Sequence, residues 1–293
     1  MAYSFKHSDK PFEKGLRRIA CSQIDKALEE LGTRERAEAI HQVRKRCKKL
    51  RGLIRLVRPG FPAYAKENAA FRDAARLLSD ARDRTAMIEA FDRIAGHFED
   101  KLEADALAPI RRQLEDRRDD LDDDAVGENL TRFRAAMLAA RKRAEGWTIE
   151  CAGADAVEGG VEKTYARAVK AMAEAEDKRT GEALHDWRKR VKYHWYHARL
   201  LKRAWPPLME AEADAADALS DILGDHHDIV VFEEKIENGA LKADGAAGDL
   251  FRGLLKARRE ALEAKAFDMG AALCAEKPKA LAKRWIAYWR AGD

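Results

Sequence analysis

Along almost the whole chain, apolar residues recur at intervals of three and four with charged residues between them. That spacing puts them on one face of an α-helix, whose period is 3.6 residues. Strand-type alternation is absent. In one segment Ile40, Val43, Cys47, Leu50, Ile54 and Val57 form an apolar stripe; in another Leu184, Trp187, Val191, His194, Ala198 and Leu201 do the same. Such stripes belong in a core. Helices are predicted over about 11–31, 33–57, 63–80, 83–101, 103–117, 126–145, 161–177, 181–204, 208–223, 226–237, 244–275 and 278–290. Pro11 suits a helix start. Thr33 is the expected N-cap of the second helix, and Pro59, Gly60 and Pro62 stop it. Pro109 offers another start for the fifth. The acid-rich 119–125 reads as a linker or helix start.

Gly146, Gly153, Gly159 and Gly160 interrupt the pattern, which marks 146–160 as a linker between a first bundle, 8–145, and a second, 161–290. The second half echoes the first. His41-x-x-Arg44-Lys45-Arg46-x-Lys48 aligns with His185-x-x-Arg188-Lys189-Arg190-x-Lys192. Upstream, Glu13-Lys14-x-x-x-Arg18 matches Glu162-Lys163-x-x-x-Arg167; downstream, Leu78-Ser79-Asp80-x-x-Asp83 matches Leu223-Gly224-Asp225-x-x-Asp228. Several matches in one order predict an internal duplication. The expected architecture is therefore all-α, two related helical bundles together forming one domain.

Composition agrees: 46% of the 293 residues are hydrophobic and 37% are charged, with few Gly or Pro. No apolar run is long enough to span a membrane, and the N-terminus has no apolar signal core, so a cytoplasmic protein without a membrane partner is expected. Cys21, Cys47, Cys151 and Cys274 form no CxxC pair, which argues against structural zinc and a disulfide framework.

Net charge is only +4, but its distribution is uneven. Residues 41–58 hold eight Lys or Arg and no acid; residues 185–203 hold seven against Asp186 alone. Beside the first apolar stripe lie His41, Arg44, Lys48, Arg51, Arg55 and Arg58. Beside the second lie His185, Arg188, Lys192, Arg199 and Lys202, with Trp195 in one slot. Each row spans roughly 25 Å at 1.5 Å per residue, and a linear polyanion can follow a line of cations. Guanidinium forks suit phosphate, and His can donate to a phosphate oxygen. A plain solvated face is the bland alternative. The absence of acids from the first row, and the row's occurrence twice with a leading His, favour a bound anion.

These residues, within a duplicated helical chain, resemble the conserved histidine α-helical domain, or CHAD, family over about residues 8–290. The resemblance implies two helical bundles about a pseudo-twofold axis, with a basic surface or channel between them. It also implies binding of inorganic polyphosphate, non-catalytic, and a place at polyphosphate granules. Carried over, it implicates His41, Arg44, Lys45, Lys48, Arg51 and Arg55, then His185, Arg188, Lys189, Lys192 and Arg199, with Arg18, Arg167, Arg82 and His227 in second rank. Tyr193 and Trp195 depart from the pattern, standing where the first copy has Lys49 and Arg51. No adjoining triphosphate-tunnel domain is visible. No cofactor is expected.

Three other readings compete. Asp225-His226-His227-Asp228 contains DHH and HD strings, and His185, His194 and His197 could add ligands for a metal-dependent phosphohydrolase. Against it, the first copy has Ala81 and Arg82 in the positions of His226 and His227, and neighbouring cations oppose a divalent metal; no metal site is expected. A basic helix could enter a nucleic-acid major groove, with Tyr193, Trp195 and Tyr196 stacking on bases, but a pI near 8.8 is modest for that role. A helical scaffold for protein partners is compatible with either.

Overall fold

Two helical hairpins carry the two histidine-led helices. In the computed structural model, which describes residues 3–101, 105–119, 123–151 and 153–292, α1 (Phe12–Thr33) turns back into α2 (Arg36–Leu56), and α7 (Gly153–Lys178) turns back into α8 (Gly181–Leu200). Between the hairpins run α3 (Tyr64–Arg76), α4 (Ser79–His97), α5 (Ala108–Asp119) and α6 (Asp123–Glu145). After them come α9 (Pro206–Glu237), α10 (Gly245–Leu273) and α11 (Pro278–Ala291). Among the described residues there is no strand, and no helix is long and apolar enough to cross a membrane. The all-α expectation holds.

Both predicted apolar stripes are buried along their whole length. Each large side chain so buried stabilises the fold by about 1.5–3 kcal/mol, before the entropy of ordering it. The second hairpin turns at Arg179, whose φ is 51°. Thr180 then caps α8, its hydroxyl accepting from the Ala183 amide at 3.3 Å. Thr33 does not cap α2. It ends α1, its hydroxyl donating to the Glu29 carbonyl at 3.0 Å, and α2 starts after Glu35 without a side-chain cap.

Glycines set how closely the hairpins approach. A Cβ on Gly52 of α2 would come within 2.9 Å of Tyr196 of α8, and the His197 ring nitrogen lies 3.2 Å from the Gly52 carbonyl oxygen. A Cβ on Gly160 would sit 1.7 Å from the Leu56 carbonyl oxygen. Gly160 therefore does not break a helix. It lies inside α7, which begins at Gly153, so the non-helical connection is shorter than the predicted 146–160. Likewise, the predicted break near residue 224 is absent and α9 runs unbroken over Pro206–Glu237. Gly224 makes room for Arg188, whose Nη2 would be 2.9 Å from a Cβ there. The fifth helix starts at Ala108, with Pro109 next; residues 102–104 and 120–122 of the predicted segments lie outside the described residues.

The cores cross between halves of the chain. Leu16, Leu50 and Ile54 share one core with Tyr165, Tyr196 and Trp285. Phe91 and Leu107 share another with Phe232 and Phe251. Trp187, Val191 and Leu223 centre a third. Helices α4 and α5 thus pack against α9 and α10, and α2 packs directly on α8.

Candidate anion-binding site

Packing α2 on α8 brings the two basic rows together at Lys48. Its side chain is exposed to solvent. Yet its ammonium is pushed down to about 8, first by the surrounding protein that displaces water, then by Arg188, Arg44, Lys192 and Arg82. Among the described residues it has no hydrogen-bond or ion-pair partner. One lysine thus feels cations from α2, α4 and α8 at once.

The cations around it differ in how well they are matched. Arg44 donates to the Ala75 carbonyl at 2.8 Å and lies 3.9 Å from Asp83. Arg188 donates to the Ser220 carbonyl at 3.2 Å. Lys192 pairs with Asp217 at 2.8 Å and lies 4.0 Å from the Trp195 ring centroid. Arg82 forms a two-toothed pair with Glu89, at 2.9 and 2.7 Å. Lys189 pairs with Asp186, and Lys202 with Glu210. Acids from neighbouring helices therefore meet much of the second row, as a solvated basic face would have it.

The lower first row is met mainly by neutral groups. Arg51 donates to Asn68 at 3.1 Å. Arg55 is buried, donates to the Tyr64 hydroxyl and lies over Tyr193 at 4.2 Å, while its Nε has no partner. Arg58 keeps Nε and Nη2 buried without partners. Burial, then Arg167, pushes its guanidinium down to about 10. Arg199 contacts the Trp195 ring at 4.8 Å. From Lys48 through Arg55 to Arg58, just past the end of α2, the row thus carries positive charge with no carboxylate in ion-pair contact among the described residues. A buried, unpaired cation costs several kcal/mol, which a bound anion offsets.

The leading histidines lie beside this cluster. His41 is lowered by burial, then by Arg82 and Lys45. His185 and His227 stack, their ring centroids 3.8 Å apart. Burial first, then Lys189 and Arg188, hold His185 at about 4; burial first, then His185 and Arg188, hold His227 at about 3. Both rings are neutral at pH 7. Lys45 is exposed, and its charge acts on His41 and Lys49.

Arg18 is not brought to the cluster. Its guanidinium is locked by Asp9, at 2.6 Å, and by the Ser4 carbonyl, at 2.9 Å. Arg167 does arrive, through its effect on Arg58. The Asp-His-His-Asp segment disperses: His226 bonds Glu263 at 2.9 Å, while Asp225 and Asp228 hold Arg93 at 3.3 and 2.5 Å. His194 and His197 are buried against Glu212 and the Gly52 carbonyl. Among the described residues no three His, Cys, Asp or Glu converge on a point where a metal could sit. Tyr64 and Asn68 were not foreseen at this site. They lie beyond the prolines that end α2, where local sequence carries no sign that α3 folds back on the row.

An all-helical chain with its cations gathered between two hairpins is the class so defined. A sequence profile described as the CHAD domain matches residues 18–237, and the chain belongs to that family. Two uncharacterized Mycobacterium tuberculosis proteins, one from each of two strains, are 27% and 28% identical to it over 239 residues. Those alignments cover 73% of this chain and 43% of each relative, so the chain spans less than half the length of the relatives it matches. The crystal structure of the CHAD domain from the plant Ricinus communis superimposes with a TM-score of 0.58 at 17% identity, covering 94% of this chain and 95% of that one. The fold is shared.

Proposed function

We propose that this chain binds inorganic polyphosphate without cleaving it. The phosphate chain lies along α2 from Lys48 through Arg51 and Arg55 to Arg58 and Arg167, with α8 as the opposite wall. The observation that carries this reading is Lys48, an exposed residue with no hydrogen-bond or ion-pair partner among the described residues, in the field of cations from three helices. Membership of the CHAD family supports the same ligand class. A thin chain of phosphates can enter between packed helices. A duplex major groove instead requires a helix that projects, and α2 is packed against α1, α3, α4, α7 and α8. On this reading the protein collects at polyphosphate granules in the cytoplasm, which imaging a tagged chain would check.

Calorimetry of polyphosphate binding across a salt series tests the proposal. Neutralising several phosphates releases counter-ions, so affinity falls steeply as salt rises. Affinity unchanged from low to high salt would reject an electrostatic site. A DNA duplex that displaces polyphosphate stoichiometrically would favour the nucleic-acid reading.

A further inference from the structure

We propose that the acidic face of α9 is an internal competitor for the polyanion. Asp217 and Asp221 hold a cation of α8 that a phosphate chain would otherwise take, and so set the affinity of the site. The inference rests on the polyphosphate reading above and names what tunes that same site.

Glu210, Asp214, Asp217 and Asp221 follow one another at spacings of four, three and four along α9, which places them on one helix face. That face meets the basic row of α8, on which α9 packs. Lys202 pairs with Glu210. Lys192 lies 2.8 Å from Asp217 and 3.8 Å from Asp221. Arg188 donates to the Ser220 carbonyl of the same helix at 3.2 Å. On α2, by contrast, Lys48, Arg51 and Arg55 have no carboxylate in ion-pair contact among the described residues.

The packing of α8 on α9 does not require these acids. Trp187 and Val191 of α8 share a buried apolar core with Ala216, Leu219 and Leu223 of α9. The Lys192–Asp217 pair is partly exposed, at 28% and 40%, where an ion pair stabilises a fold little. The other half of the chain carries no such face. In the register that aligns Leu78 with Leu223, Arg72 and Arg76 stand in the positions of Asp217 and Asp221, and Ala65 and Ala69 in those of Glu210 and Asp214. Those four residues lie on α3, which packs on α2. Of two helices that each pack on a basic row, one therefore bears acids where the other bears arginine or alanine. A phosphate that reaches Lys192 must displace Asp217. A carboxylate tethered in place competes at high effective concentration, and only an anion that is itself anchored, along α2, meets it on equal terms.

The experiment is calorimetry of long-chain polyphosphate on the full chain and on Asp217→Asn with Asp221→Asn. The control, Asp116→Asn with Glu128→Gln, removes the same charge from exposed residues of α5 and α6 that have no ion-pair partner among the described residues. Affinity should rise about fivefold over the control, the effect of one charge-assisted contact partly screened by solvent. Lys192→Gln should cancel that gain in the α9 variant and cost less in the parent. The melting temperature of the α9 variant should stay within roughly 3 °C of the parent. An α9 variant that binds no better than the control, or a gain that survives Lys192→Gln, overturns the inference. So does a fall in melting temperature of about 10 °C or more, which would make the acids structural. The parent titration scores the polyphosphate reading separately. Binding by the parent without a gain in the variant removes only the competitor, and binding by the variant alone is the limiting case of competition. Binding by neither sinks both readings.

Discussion

The guanidinium carbon of Arg55 on α2 lies 4.2 Å from the ring centroid of Tyr193 on α8. In the alignment of the two halves Tyr193 takes the place of Lys49, so the aromatic of one row steadies a cation of the other. A cation over an aromatic face contributes about 1 kcal/mol. Tyr193→Ala is expected to weaken polyphosphate binding roughly fivefold, and Tyr193→Phe to leave it nearly unchanged. Equal losses in the two variants, measured by calorimetry, would show that the hydroxyl and not the ring matters.

Charge reversals should rank by how well each cation is already matched. Lys48 has no counter-ion among the described residues, whereas Lys192 has Asp217 at 2.8 Å. Each lost charge-assisted contact costs about 1.5–3 kcal/mol. Lys48→Glu should therefore lower affinity at least about tenfold, and Arg44→Glu with Lys48→Glu about a hundredfold. Lys192→Glu should cost less than Lys48→Glu. Glu115→Lys with Asp116→Lys, on α5, should not weaken binding. Variants that stay folded and all bind like the parent would reduce the rows to solvated faces.

Acid should destabilise the free protein through its stacked histidines. His185 and His227 are held at about 4 and about 3, below the ordinary 6.5. A base depressed by folding stabilises the native state fully above its unfolded pKa. That contribution shrinks as pH falls from about 6.5 towards the folded value, because the unfolded chain takes up the proton first. The melting temperature should drop over this window and drop less in His185→Asn. Identical acid slopes for parent and variant would exclude His185 as a source.

Gly160→Ala should be costly although it lies within a helix. The new Cβ would meet the Leu56 carbonyl oxygen at 1.7 Å, a backbone atom that cannot swing aside. Overpacking of this kind costs about 1–3 kcal/mol or more, and each kcal/mol is about 2–4 °C in a domain this large. Gly253→Ala in α10 meets nothing within 4 Å, so helix propensity should make it neutral or stabilising by up to about 1 kcal/mol. Thermal unfolding of both compares the two effects directly.

The pure protein should release no phosphate from polyphosphate with magnesium, manganese or zinc. Stabilising a bound phosphate in its ground state does not by itself lower a barrier. Sustained metal-dependent release, abolished by His227→Ala, would restore the hydrolase reading.

The helical class, both buried stripes and the two basic rows were legible in the sequence, because each depends on a period of 3.6 residues that short-range spacing records. Ile40 to Val57 could be placed in the core, and Arg44, Lys48 and Arg51 on one face, without knowing any neighbour. Glycine was misread where its role is tertiary: Gly160 and Gly224 look like breaks along the chain but serve as close contacts with Leu56 and Arg188. Which cations stay unpaired was also hidden. Asp217 on α9 neutralises Lys192 on α8, and Glu67 on α3 neutralises Arg143 on α6, and nothing local to those basic residues announces their partners. Charge along a chain is set by sequence; the field at Lys48 is set by which helices pack together, because electrostatic energy depends on distance and displaced water and not on position in the chain.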